Sequence, residues 1–152
     1  MQRASEIRAA GTWNPATAID QVVLNADERY CRRIMLTGER GVQFVLDLPH
    51  AAGLHDGDGL VLGDGTMVRV AGKPEPLFEI SAASPYELAR LAWHIGNRHA
   101  DLEVAGSTLR IRRDHVLEAM LRGLGAQLTP IEAPFEPEHG AYGHHEHQGH
   151  DY

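Results

Sequence analysis

The sequence predicts an α+β protein in three parts: a small all-β domain over residues 1–75, a βαββαβ domain over 76–134 and a flexible histidine-rich tail over 135–152. Three observations predict it. Glycine and aspartate crowd between residues 53 and 65, punctuating very short apolar runs. Gly72-Lys-Pro-Glu-Pro76 restricts the backbone and breaks both periodic patterns, which marks a hinge. Beyond it the rhythm changes, and Ser84-Pro85-Tyr86-Glu87 has the residues of a helix start with a capping box.

Taken in order, Gln21-Val-Val-Leu24 and Arg33-Ile-Met-Leu36 are apolar runs of strand length. Gln43-Phe-Val-Leu46 is a third, expected to stop at Pro49. Gly53, Asp56-Gly57-Asp58-Gly59 and Gly63-Asp64-Gly65 then separate the short strands Leu60-Val-Leu62 and Thr66-Met-Val-Arg-Val70. The Asp-Gly-Asp-Gly stretch lacks the twelfth-position Glu and the flanking helices of a calcium loop, so turn chemistry accounts for it better.

Leu77-Phe-Glu-Ile80 reads as a strand. A helix follows with Leu88, Leu91, Ala92 and Ile95 on one face, closed by Gly96. Asp101–Val104 and Thr108–Ile111 alternate as strands across Ala105-Gly106. Asp114 caps a second helix carrying Val116, Leu117, Met120, Leu121 and Leu124, closed by Gly123 or Gly125. Ala126–Thr129 with Ile131 make a last strand, and nothing periodic follows Pro134. The order βαββαβ is that of a split βαβ, ferredoxin-like sandwich.

Composition narrows the function. Hydrophobic residues make up 43% of 152, enough for a core. The net charge is −7 and the basic residues are dispersed, which argues against nucleic acid as a partner. Cys31 is the single cysteine, so neither an internal disulfide nor a multi-thiolate zinc site is available. No signal peptide and no run long enough to span a bilayer is present, so no membrane is expected and a cytoplasmic location is. Arg29, Arg32 and Arg33 form a candidate docking surface, or else a solvated strand edge.

Histidine is the unusual resource. There are 10, and His139, His144, His145, His147 and His150 fall within the last fourteen residues. Neutral imidazole suits Ni2+, Zn2+ and Cu2+, and several on one chain end can wrap an ion. A solvated polar tail and a cloning tag are the plainer accounts, although tags are usually unbroken histidine runs. Within the folded part, His94 reads as a helix C-terminal residue, His99 as a loop residue and His115 as a first-turn surface residue. A metalloenzyme would need several fixed ligands and a base, and no His-x-x-x-His pair stands on a helix, so a non-enzyme is expected.

The chain resembles the UreE family of nickel-carrying urease accessory proteins. The residues that carry the resemblance are Asp27-Glu28-Arg29 with Arg32-Arg33, Asp47-Leu48-Pro49 and Asp56-Gly57-Asp58. They continue in Gly96-Asn97-Arg98-His99, Asp114-His115-Val116-Leu117 with Met120-Leu121, and Pro134-Phe135-Glu136-Pro137-Glu138 with Gly140-Ala141-Tyr142. The resemblance implies a peptide-binding type of β domain and a homodimer formed through the C-terminal domain. It also implies one Ni2+ held jointly by His99 of both subunits and completed by the tail histidines. The partners it implies are the urease accessory GTPase and the urease apoprotein complex, to which nickel is delivered. Some members carry His-Asp-His where this chain has Arg113-Asp114-His115, so a second internal site is discounted. The alternative is general storage of Ni, Zn or Cu, or an interaction scaffold, without dedicated delivery.

Overall fold

A computed structural model of the protein describes residues 1–140. It is mixed α+β, mostly sheet, and forms two compact units, Met1–Lys73 and Pro74–Glu138, with His139 grouping with the first.

The first unit comprises β1 (Gln2–Arg8), β2 (Asp20–Leu24), α1 (Ala26–Arg29), β3 (Tyr30–Thr37), β4 (Gln43–Gly53), β5 (Gly59–Leu62) and β6 (Met67–Gly72). One six-stranded sheet runs in the order β2-β6-β5-β1-β4-β3. Alternate residues face its core, where Ala4, Val22, Phe44, Leu46, Leu60, Val68 and Val70 are buried together.

Three features depart from the sequence expectation, the first being helix α1 in a unit expected to be all-β, started by the capping box of Asn25 and Glu28. Gln2–Arg8 forms a strand, paired in parallel with β4 and antiparallel with β5, although it offers only Ala4 and Ile7 as apolar residues. Its place between two partners outweighs its weak pattern. Strand β4 also runs on through Pro49. The pairing with β1 ends at Leu46, and that with β3 slips between Arg33↔Asp47 and Cys31↔Ala52. Pro49 therefore sits in an irregular stretch where the ladder has no need of its missing N–H.

Three buried charged groups organise the loops. The guanidinium of Arg29, only 2% exposed, donates to the carbonyls of Leu24 and Leu54, both at 3.3 Å. Arg29 therefore leaves the surface group expected with Arg32 and Arg33: a buried guanidinium must spend its donors on carbonyls. Asp58 accepts from the backbone N–H of Ala10 at 3.0 Å and of His55 at 2.8 Å, and Asp56 from that of Gly72 at 2.8 Å. Those carboxylates hold turns, as the turn reading expects. Asp20 accepts from Gln21, Arg40 and Val42 N–H at 2.7, 2.8 and 3.0 Å, tying β2 to the β3–β4 turn.

The second unit comprises β7 (Pro74–Ser81), α2 (Pro85–Asn97), β8 (Glu103–Ala105), β9 (Thr108–Arg112), α3 (His115–Gly123) and β10 (Gln127–Pro134). Its antiparallel sheet has the order β10-β7-β9-β8. Leu91 and Ile95 of α2 and Leu117 and Leu121 of α3 join one core with Phe78, Ile80, Leu109, Ile111 and Leu128. The expected break at Gly72–Pro76 narrows to the junction of Lys73 and Pro74, and Pro74 and Pro76 are strand residues opposite Pro134 and Glu132.

The expected tail begins too early. Phe135 is fully buried with the Arg112 guanidinium 4.9 Å from its ring centre. Glu136 N–H donates to Glu103 at 3.0 Å and Glu138 N–H to the Leu102 carbonyl at 2.7 Å. Residues 135–138 thus pack on the second unit, because one aromatic side chain gains more by burial than a polar context reveals. No helix among the described residues is long and apolar enough to cross a membrane.

Burial alone would push the Asp20 carboxyl up, but the N–H groups of Arg40, Val42 and Gln21, with the Arg40 charge, outweigh it and hold it below the usual carboxylate range. A depressed folded value means stability that is complete above the unfolded value, about 3.9, and is lost as pH falls through the folded one. Asp20→Ala strands three amides, so urea unfolding at pH 7 is expected to show a loss of about 3 kcal/mol or more. The gap between parent and variant should narrow below about pH 4.

Candidate metal centre

His99 stands at the end of α2, and local chemistry sets where that end falls. Ser84 accepts from Glu87 N–H at 3.1 Å, and Pro85 occupies the first turn. Leu91 and Ile95 face the core, 2% and 0% exposed. The helix does not close at Gly96, as its sequence suggests, but runs to Asn97 with Arg98 as C-cap. The left-handed residue is His99, with φ +57, the only non-glycine at positive φ among the described residues.

Its hydrogen bonds define a Schellman motif. His99 N–H donates to Gly96 carbonyl at 2.9 Å, and Ala100 N–H reaches back to Ile95 carbonyl at 3.4 Å. Helix α3 ends the same way: Gly125, at φ +92, donates to Arg122 at 3.0 Å, and Ala126 to Leu121 at 3.0 Å. Glycine is the ordinary occupant of this position, since an L-residue there is strained by about 1–2 kcal/mol. A histidine in its place holds an exposed imidazole at the negative end of a helix dipole, which favours a cation.

The other candidates are placed differently. His94 is half-buried in the last turn of α2, its ring edge-on to Trp93 at 5.0 Å. His115 is exposed at the first position of α3, the positive end of a helix, which disfavours a bound cation. Beside it Asp114 caps the helix, accepting from Val116 and Leu117 N–H at 2.8 and 3.1 Å. The Arg113 guanidinium donates to the carbonyls of Leu77 and Ile131 at 3.1 and 2.9 Å, so it is fixed to the sheet. His139 lies against Tyr30, ring centres 4.4 Å apart, with its Nε2 so close to Gly53 that a Cβ there would stand 2.8 Å away. His144, His145, His147 and His150 lie outside the described residues. Cys31 is half-buried against the first core, and burial pushes its thiol up, away from the thiolate form a metal takes. Among the described residues no three His, Cys, Asp or Glu groups cluster closely enough to hold an ion.

The family model of the UreE urease accessory protein N-terminal domain matches residues 2–72, and that of its C-terminal domain matches residues 75–152. The chain belongs to the UreE urease accessory protein family. Curated relatives agree. A urease accessory protein UreE of Bradyrhizobium sp. is 53% identical over 152 residues, spanning 99% of this chain and 73% of its own. One of Rhodopseudomonas palustris is 50% identical over 100% of this chain and 72% of its own. One of Rhodobacter capsulatus is 41% identical over 100% and 94%.

The left-handed backbone at His99 was not read from the sequence, yet a signal for it exists. Ile95-Gly-Asn-Arg-His99-Ala100 and Leu121-Arg-Gly-Leu-Gly125-Ala126 correspond position by position, core anchor to small apolar residue, with His99 where Gly125 stands. That comparison leads to an expected outcome. His99→Gly should raise stability by about 1 kcal/mol, while Gly125→Ala should lower it by about as much. Urea midpoints measure both, and a His99→Gly variant less stable than the parent would show that His99 is there for packing.

Proposed function

We propose that this protein is a nickel metallochaperone: it binds Ni2+ in the cytoplasm and passes it to the urease apoprotein assembly complex while that enzyme's active site is completed. Its family is one of urease accessory proteins, which supports a role in urease maturation distinct from the catalytic work of urease itself. We infer in addition that the second unit is of the ferredoxin-like kind, supported by a βαββαβ order in which the first strand lies between the third and fourth.

The observation that carries the nickel reading is His99, an exposed imidazole on a strained backbone position at the negative end of α2. One imidazole per chain is a poor site, and a homodimer related by a two-fold axis presents it twice. The outer face of α2 supports this arrangement, because Tyr86 and Trp93 are 70% and 64% exposed and offer apolar area for a second copy to cover. In this reading His144, His145, His147 and His150 complete the shell, and Zn2+ or Cu2+ can occupy the same donors. Ligands that exchange one at a time let the ion leave for the accessory GTPase and the apoprotein. His139, His115 and His94 are secondary, since each is engaged elsewhere or set against a cation.

Native mass spectrometry during a nickel titration tests the reading by counting ions and subunits together. The parent should appear as a dimer sharing a tightly held ion. His99→Gly should remain a dimer and lose that ion, whereas a chain ending at Tyr142 should keep it and lose capacity. Protons compete for imidazole, so occupancy should fall below about pH 6.5. Tight binding in a His99→Gly chain that ends at Tyr142 would refute the model.

A further inference from the structure

The chain leaves the second sheet at one edge and is carried at once to the other. Strand β10 is one edge and β8 the opposite one, three strand spacings away, which is about 14 Å at 4.7–4.9 Å each. Strand β10 ends at Pro134, yet four residues later Glu138 N–H donates to the carbonyl of Leu102, just before β8, at 2.7 Å. On the way, Glu136 N–H donates to the buried carboxylate of Glu103 at 3.0 Å. Four extended residues reach up to about 13–14 Å, so residues 135–138 are long enough to form a strap from edge to edge.

Phe135 pins the strap midway. It is fully buried, and the Arg112 guanidinium lies 4.9 Å from its ring centre. Leu109 and Ile111 of β9 face the helices, so by alternation Arg112 faces the other side of the sheet. There Arg112 also pairs with Glu75 of β7 at 3.4 Å and with Asp101 at 2.8 Å. Asp101 is two residues beyond His99, so the group under Phe135 also holds the loop that carries His99. Leu102, where the strap ends, is three residues from His99 and within about 10–11 Å of it along the chain. His144, His145, His147 and His150 lie outside the described residues, but the point from which their segment starts does not. Six residues lead from Glu138 to His144 and reach up to about 20–22 Å, more than the way back to His99.

We propose that Phe135 is a positioning residue for nickel binding: the strap it pins roots the terminal histidines beside the His99 loop instead of at the far edge of the sheet. The proposal rests on the nickel reading and adds to it the residues that bring two sets of ligands together. Once His99 holds an ion, histidines of the same chain bind it as intramolecular ligands. Their effective concentration is set by the length and origin of the tether, and falls roughly as the −3/2 power of that length. With the strap in place the tether to His144 is six residues; with the strap released it is ten, counted from Pro134. Length alone then costs about twofold, and an origin about 14 Å further across the sheet brings the loss to about threefold.

The test is a double-mutant cycle on the full chain, with NiCl2 affinity read by calorimetry at about pH 7.5, where imidazole is neutral. One arm is Phe135→Ala. The other replaces His144, His145, His147 and His150 with alanine together. The four-alanine chain should bind nickel at least tenfold more weakly than the parent. Phe135→Ala should weaken binding about threefold in the parent and leave the four-alanine chain unchanged within error. Phe135→Leu, which keeps an apolar anchor, should restore the parent value. Should Phe135→Ala not fold, Glu138→Pro removes only the N–H that bonds Leu102 and should show the same coupling. Amide exchange in the metal-free protein confirms release, since Glu136 and Glu138 should lose protection. Equal weakening by Phe135→Ala in both backgrounds overturns the proposal, because the residue then acts only on the His99 loop. So does a released strap with unchanged affinity, or a four-alanine chain that binds as well as the parent. Failure of the nickel reading shows separately, as a His99→Gly chain that holds nickel as tightly as the parent.

Discussion

The carbonyl of one buried residue, Ile95, governs how helix α2 ends. Its side chain is fully buried in the core, and its oxygen receives N–H groups from Arg98 at 3.1 Å and Ala100 at 3.4 Å. Core packing therefore fixes where α2 stops, and the stop fixes the backbone of His99. The same device closes α3 around Leu121, with Gly125 in the left-handed position. Two helices of one unit thus solve one problem with different residues. The glycine solution relaxes the backbone, and the histidine solution trades some stability for a side chain held on a rigid mount.

The first unit rests on a different constraint, the need to satisfy charges removed from water. Arg29, Asp20 and Asp58 are buried, and each bonds to backbone groups, carbonyls for Arg29 and amides for the two carboxylates. Such bonds are made once and oriented by the chain, so each charge locks a loop against a strand. The consequence is a sheet whose loops are tied to its strands, while among the described residues β3 pairs on one side only along Arg33–Thr37. Rigid scaffold and exposed strand are two results of one distribution of polar groups.

Much of this was legible in the residues. Helix starts were clear because Ser84 and Asp114 act on amides two or three residues away, and such short-range chemistry leaves its mark in sequence. Strands at Leu60, Leu77 and Thr108 were clear for a similar reason, since alternation reports which face is buried. The Asp56–Gly59 turn was legible too, because Asp-Gly pairs serve few other ends. His99 was legible as a candidate through its neighbours Gly96-Asn97-Arg98, and its backbone was not.

By itself, then, the sequence determined the alternation of strands and helices beyond Leu77 and the family to which the chain belongs. Each depends on residues that interact over a few positions or recur as a pattern. Only the tertiary structure decided that Gln2–Arg8 is an inner strand, that Pro49 lies within β4 and that Phe135 packs on the second unit. It alone buried Arg29 and set His139 against Tyr30. In each of these cases the partner lies far along the chain, and long-range contacts override local preference without leaving a local trace.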